Sequence, residues 1–135
     1  MPQSRISIAS RPLSFHPELR TSIPTEQIIM LELNETNFDQ QISRGTVVVD
    51  FSAEWCPPCR LLEPQLQRAA ETLRQQATFA KVDADENPQL LSRYRIEALP
   101  TVVVFHEGEP LRVLRGLRDE KSLVTEIRAA IGVAI

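Results

Sequence analysis

Two cysteines lie three positions apart in the segment WCPPC, residues 55–59, and they are the only cysteines of the chain. The thiolate is the reactive form of cysteine. An apolar strand-like segment precedes the pair and a helical pattern follows it. Cys56 therefore falls near the N-cap of a helix, where free N–H groups and the helix dipole favour an anion. Cys59 would lie one turn further along and be more shielded. The pair predicts a redox couple in which one sulfur attacks and the other resolves.

Two other chemistries could use the same pair. A structural zinc site needs about four nitrogen or sulfur ligands, and His16 and His106 are the only histidines of the chain. Two inert buried thiols would need neither the neighbouring Trp55 nor a helix terminus. The redox interpretation is favoured, because CxxC between a strand and a helix is a strong redox signal. We expect no metal and no organic cofactor.

The elements that must hold the pair alternate along the chain. Segments such as TVVVDFS and PTVVVF are apolar on both faces, which predicts buried strands. Pro57 and Pro58 suit the first turn of the helix after Cys56, where N–H groups have no intrahelical partner. A closing helix is expected over Asp119–Ile131, with Gly132 as its stop. The order βαβαβαββα predicts an α/β domain whose mixed sheet is covered on both faces.

Composition and charge narrow the possible partners and locations. A length of 135 residues fits one domain, and a net charge of −3 gives no phosphate-seeking surface, so we expect no nucleic acid partner. Residues 1–29 are rich in proline and serine, which predicts a flexible extension before a domain over 30–135. The apolar run IIML is too short for a signal peptide or a membrane span, so we expect no membrane. A cytoplasmic location is expected, with an organelle transit peptide as the alternative.

Three long segments resemble the thioredoxin family: VVVDFSAEWCPPCRLLEP, AKVDADENPQLLSRYRIEALPTVVVFHEGEP and LRGLRDEKSLVTEI. The resemblance covers essentially all of residues 31–135. It implies the thioredoxin fold, a five-stranded mixed sheet flanked by four helices. It also implies a thiol–disulfide oxidoreductase that reduces protein disulfides, with Cys56 as the attacking and Cys59 as the resolving thiol. The implied partners are disulfide-containing proteins and a thioredoxin reductase that uses NADPH or ferredoxin. We expect a monomer in a reducing compartment.

The resemblance also assigns roles to Asp50 and Lys81. Asp50 lies in an otherwise apolar strand, where an unpaired carboxylate is costly and tends to stay protonated near neutral pH. The family role is to accept the proton of the resolving cysteine, with Lys81 on the adjacent strand modulating it. Taken alone, Asp50 also suits a solvent-facing strand end beside the polar Ser52, and Lys81 suits an ordinary surface lysine.

The implied rim for protein substrates consists of Trp55, Leu99, Pro100 and Gly116. Pro100 begins an apolar strand, where it cannot donate to the ladder, and the resemblance implies the family's cis-proline. The alternative for Pro100 is a trans proline that starts the strand. The alternative for Trp55 is a position in the hydrophobic core. Pro57 and Pro58 stand where the family usually has Gly-Pro. They stiffen the loop and shift the balance between the dithiol and the disulfide. The sequence does not give the direction of that shift.

Two rival functions remain compatible with this fold. An oxidising or maturation-type protein would carry CPPC and an export signal, of which only the first is visible. A binding module that uses the fold as a scaffold would still function as a Cys56→Ser variant.

Overall fold

The computed structural model describes residues 30–134, so the extension expected over residues 1–29 lies outside the described residues. These residues form five strands and four helices in the predicted order. The strands are β1 (Leu31–Leu33), β2 (Thr46–Ser52), β3 (Thr78–Asp83), β4 (Thr101–His106) and β5 (Glu109–Arg115). The helices are α1 (Phe38–Ile42), α2 (Pro57–Leu73), α3 (Pro88–Arg93) and α4 (Glu120–Ala134). None of these helices is long and apolar enough to cross a bilayer.

The strands form one mixed sheet in the order β1-β3-β2-β4-β5. β3 runs parallel to both β1 and β2, whereas β4 runs antiparallel to β2 and to β5. β2 is therefore paired on both sides, and its β-branched residues suit a strand that is buried on both faces. The predicted five-stranded mixed sheet with four helices is confirmed. The central strand β2 ends directly before the loop that carries the cysteines.

The two faces of the sheet are packed with different side chains. The face under α1 and α3, here called the aromatic face, includes Phe38, Phe51, Tyr94 and Phe105. The face under α2 and α4, here called the aliphatic face, includes Val48, Leu62, Leu66, Leu123 and Ile127. Successive side chains of a strand point to opposite faces. Since Val48 lies on the aliphatic face, Asp50 points to that face as well.

The closing helix differs from the prediction at its end. Asp119, predicted as the first residue of this helix, instead precedes it and caps it, since its Oδ1 accepts the Ser122 N–H at 2.9 Å. The prediction that Gly132 stops the helix is wrong, because α4 continues through it to Ala134. A single glycine lowers helix stability by only about 1 kcal/mol relative to alanine, so it does not by itself end a helix.

Both edges of the sheet are short or irregular. β1, at one edge, has three residues. β5, at the other edge, contains Pro110, and its pairing with β4 shifts register between Val104 and Phe105. Glu107 and Gly108 join the two strands, and both have positive φ values of 51° and 85°, as a tight hairpin turn requires.

Candidate active site

Cys56 occupies the N-cap of α2 with an extended backbone, as the sequence predicted. Its Sγ accepts the Cys59 N–H at 3.3 Å, so one of the free N–H groups of the helix start points at the sulfur. Such a contact favours the thiolate when the pair is reduced. Pro57 and Pro58 form the first turn of α2. N–H groups in this turn have no intrahelical acceptor, so the absence of an N–H in proline breaks no hydrogen bond of the helix.

The two cysteines form a disulfide in this structure, with their Cα atoms 5.3 Å apart. The expectation that Cys59 is more shielded than Cys56 is wrong for this state, since Cys56 is 3% and Cys59 4% exposed. The closed ring brings both sulfurs under the same cover of small and apolar side chains, among them Ala53, Ala84 and Leu99. Accessible area therefore does not distinguish the attacking sulfur from the resolving one.

The surroundings of the two cysteines do differ. Cys56 lines a groove of about 440 Å³ whose walls are mostly apolar, among them Trp55, Leu91, Ile96 and Leu99. Cys59 lines an adjoining cavity of about 800 Å³, which shares Trp55 and Asp85 with the groove but carries more charges on its walls, among them Arg60, Glu63 and Lys81. One sulfur thus borders an apolar groove that suits a peptide segment, and the other borders a polar space that suits proton exchange.

Asp50 is 4% exposed, so its alternative assignment as a solvent-facing residue is wrong. Its Oδ1 atom has no hydrogen-bond partner among the described residues. Burial raises the pKa of Asp50 from 3.8 to about 7, while the Lys81 charge lowers it, Glu63 raises it and the Ser52 hydroxyl lowers it in smaller measure. A carboxyl group with this pKa exchanges a proton readily at neutral pH.

Lys81 lies opposite Asp50 in the register of β2 and β3, but its ammonium group pairs elsewhere. Lys81 Nζ is 3.4 Å from Glu63 Oε2 on α2. Sequence reasoning missed Glu63. The available signal was its spacing, because Glu63 follows Cys59 by four residues and so lies on the same side of the helix.

The rim residues are held by hydrogen bonds between separate segments. Trp55 is 65% exposed, so the core alternative is wrong, and its Nε1 donates to Asp85 Oδ2 at 2.9 Å. Sequence reasoning missed Asp85, which lies thirty positions away. The Leu99–Pro100 peptide bond is cis, as the resemblance implied. Gly116, with φ of 86°, donates its N–H to the Pro100 carbonyl at 2.9 Å but is not among the groove-lining residues.

The residues that could ligate a metal do not converge in the described part of the chain. Residues 30–134 contain no group of three or more His, Cys, Asp or Glu side chains placed to hold a metal ion. His106 lies at the end of β4, where its Nδ1 is 3.1 Å from Thr46 Oγ1.

Comparisons with known proteins agree with this geometry. The family model for thioredoxin matches residues 29–129. A thioredoxin from Staphylococcus haemolyticus is 34% identical over 94 residues, which cover 70% of this chain and 90% of that protein. A thioredoxin from Staphylococcus saprophyticus is 34% identical over 98 residues, which cover 73% and 94%. The solved structure of a mutant thioredoxin from Halobacterium salinarum has 38% identity and a TM-score of 0.68, and the match covers 75% of this chain and 89% of that one.

The fold and the paired cysteines at a helix start define a class of protein, the thiol–disulfide oxidoreductases. Within that class, this chain belongs to the thioredoxin family. Its Cys56–Cys59 pair lies at the redox-active position of the family, and family membership implies disulfide-containing proteins as its substrates.

Proposed function

We propose that the chain works as a reductant of protein disulfides, with Cys56 as the attacking and Cys59 as the resolving thiol. The observation that carries the proposal is the difference between the apolar groove beside Cys56 and the charged cavity beside Cys59. A substrate segment rests in the groove, against Trp55 and Leu99. The proton of the second thiol leaves on the other side.

The reaction transfers two electrons from the dithiol to the substrate. The Cys56 thiolate attacks one sulfur of a substrate disulfide, a mixed disulfide forms, and the other substrate sulfur leaves as a thiolate. Asp50 then takes the proton of Cys59, and the Cys59 thiolate attacks Cys56 Sγ. The substrate leaves as a dithiol after its two sulfurs take up protons, one from Asp50 and one from water, and the Cys56–Cys59 disulfide remains. The burial and raised pKa of Asp50 support its role as proton acceptor.

The reverse half of the cycle needs an electron donor. We propose a thioredoxin reductase that draws on NADPH or on ferredoxin, and a monomeric chain in a reducing compartment, the cytoplasm or an organelle. The chain has no cysteines besides the pair, which supports a compartment where other thiols stay reduced. Leu99 lines the groove beside Cys56, and the cis bond to Pro100 leaves the Leu99 backbone as the group that would hydrogen-bond to an extended substrate segment. Gly116 supports Pro100 through its own hydrogen bond.

One observation favours a second candidate, a protein that forms or exchanges disulfides. Two consecutive prolines, Pro57 and Pro58, fix the loop between the cysteines and thereby change the relative stability of the dithiol and the disulfide. Equilibration of the pair in graded dithiothreitol buffers, followed by the fluorescence of Trp55, separates the two functions. A midpoint close to about −270 mV, the value known for thioredoxin itself, supports the reductant. A midpoint near about −120 mV, as in a dedicated oxidant, overturns it.

The order of the two thiols is tested with insulin as a disulfide-containing probe. The Cys59→Ser variant should accumulate a mixed disulfide with the probe, because its Cys56 attacks and nothing resolves. The Cys56→Ser variant should form almost none and lose reductase activity. Equal trapping by both variants would contradict the assigned order, and full activity of Cys56→Ser would favour the scaffold function.

A further inference from the structure

Glu63 is placed between the resolving cysteine and the lysine beside Asp50. It lies on α2 one turn after Cys59, and both residues line the same charged cavity. Its Oε2 atom is 3.4 Å from Lys81 Nζ. The side chain of Lys81 is 32% exposed and that of Glu63 49%, so the pair is partly open to solvent, whereas Asp50 is buried.

Lys81 faces two carboxyl groups but pairs with the outer one. Its Cα lies opposite that of Asp50 in the parallel register of β2 and β3, and residues in register on adjacent strands point to the same face. Asp50 Oδ1 nevertheless has no hydrogen-bond partner among the described residues. The ammonium group that could neutralise Asp50 is instead held by Glu63.

We infer that Glu63 is a positioning residue for the resolving step: it holds Lys81 in a partly exposed ion pair and so leaves Asp50 free to take the proton of Cys59 at neutral pH. The inference rests on the proposed function for the role of Asp50 in catalysis. A carboxylate in a tight ion pair is a weaker base than one that lacks a partner. Glu63 thereby determines how good a proton acceptor Asp50 is.

The electrostatics around Asp50 agree with this arrangement. Burial is the main cause of its raised pKa, Lys81 acts against it, and Glu63 acts with it. On its other side, β2 pairs with β4, where Val102 opposite Asp50 carries no charge. The other charged groups that line the same cavity come from β1, β3, α2 and the adjoining loops: Glu32, Asp83, Arg60, Glu54 and Asp85.

The test is an NMR titration of the Asp50 side-chain carboxyl in the oxidised full-length protein, compared with its Glu63→Gln variant. Without the Glu63 charge, Lys81 turns to Asp50, and the titration midpoint should fall by about one pH unit, the size of shift that a nearby opposite charge produces. Glu71→Gln is the matched control. Glu71 lies on the same helix and pairs with Arg74, but it does not line the cavity, so its removal should leave the midpoint unchanged. Equal midpoints in wild type and Glu63→Gln, or equal shifts in both variants, would overturn the inference.

A second comparison separates positioning from direct repulsion. In a Lys81→Met background, Glu63→Gln should move the titration midpoint of Asp50 by less than half of the shift that it causes in the wild-type background. The reason is that the ammonium group held by Glu63 is absent there. A shift of full size there would show that Glu63 acts through its own charge alone, and the positioning role would be wrong.

The titration does not depend on the catalytic proposal. If Cys59→Ser traps no mixed disulfide while the Asp50 midpoint still moves in Glu63→Gln, the proposed function fails and the placement of Lys81 by Glu63 stands. When both hold, the pH profile of the resolving step in Glu63→Gln should shift in the same direction as the Asp50 midpoint.

Discussion

The aromatic and aliphatic faces of the sheet share the central strand β2 but differ in whether that strand buries a polar side chain. β2 contributes Val47, Val49 and Phe51 to the aromatic face, where the buried contacts are between rings and aliphatic chains. To the aliphatic face it contributes Val48 and then, two positions closer to the cysteines, Asp50. The first face is apolar along the whole strand. The second changes from apolar to polar at its active-site end.

The difference shows which part of the sheet contains a destabilising group. On the aromatic face every buried side chain of β2 gains by leaving water. On the aliphatic face the same strand buries a carboxyl oxygen that lacks a partner among the described residues, which is unfavourable whenever the group is charged. The unfavourable burial is confined to the end of the strand that adjoins the cysteines, which agrees with the proposed role of Asp50 as a proton acceptor with a pKa near neutral pH.

The largest expected effect is on the aromatic face. Phe38 is fully buried and its ring packs against those of Phe51, Tyr94 and Phe105. Phe38→Ala should lower the free energy of unfolding by about 3–5 kcal/mol, because it removes a large side chain and leaves a cavity. Urea unfolding followed by circular dichroism at pH 5 and pH 8 measures this. The loss should be equal at both pH values, and a loss confined to one of them would contradict an uncharged, purely packed face.

Asp50→Asn should raise the free energy of unfolding at high pH by an amount similar to the loss expected for Phe38→Ala. Burial raises the pKa of Asp50 from 3.8 to about 7, so between these pH values the folded state keeps a proton that the unfolded chain has lost. Wild-type stability therefore falls as the pH rises through this range and then levels off. At pH 8.5 the variant should be more stable than wild type by up to about 4 kcal/mol, and at pH 3.5 the two should be nearly equal.

Urea unfolding across this pH range measures the difference, and the variant should also reduce disulfides more slowly. Ser52→Ala is the control, since it removes a neighbouring hydroxyl without removing the carboxyl. A gain in stability for Asp50→Asn that does not vary with pH would show that the carboxyl is not the titrating group.

The smallest effect is expected for a charge at the rim of the aromatic face. Asp39 pairs with Arg93, whose guanidinium carbon lies 5.0 Å from the centre of the Tyr94 ring. Both side chains of the ion pair are well exposed, and exposed pairs contribute less than about 1 kcal/mol. Asp39→Asn should lower the melting temperature by only a few degrees at low salt, and the difference should shrink in high salt. A loss comparable to that of Phe38→Ala would mean that this charge belongs to the packed face.

Most of the fold could be predicted from the sequence, because apolar periodicity and turn residues are local signals. It also placed Cys56 at a helix start and Asp50 in a buried strand, since both follow from the neighbouring residues. Glu63 and Asp85 were missed because their importance comes from partners on other elements, Lys81 and Trp55. The spacing of Glu63 from Cys59 indicates only that the two residues share a side of the helix. Which partner each residue contacts depends on how helices and loops pack on the sheet, and this cannot be predicted from local patterns.

The edges of the sheet have a consequence for the behaviour of the chain at high concentration. An exposed edge strand offers free N–H and C=O groups to another molecule and can start aggregation. Here one edge is only three residues long. At the other, Pro110 offers no N–H and the register shift interrupts the ladder, while Arg115 places a positive charge at the end of the strand. Neither edge of the sheet therefore offers a long, regular strand for pairing with another chain.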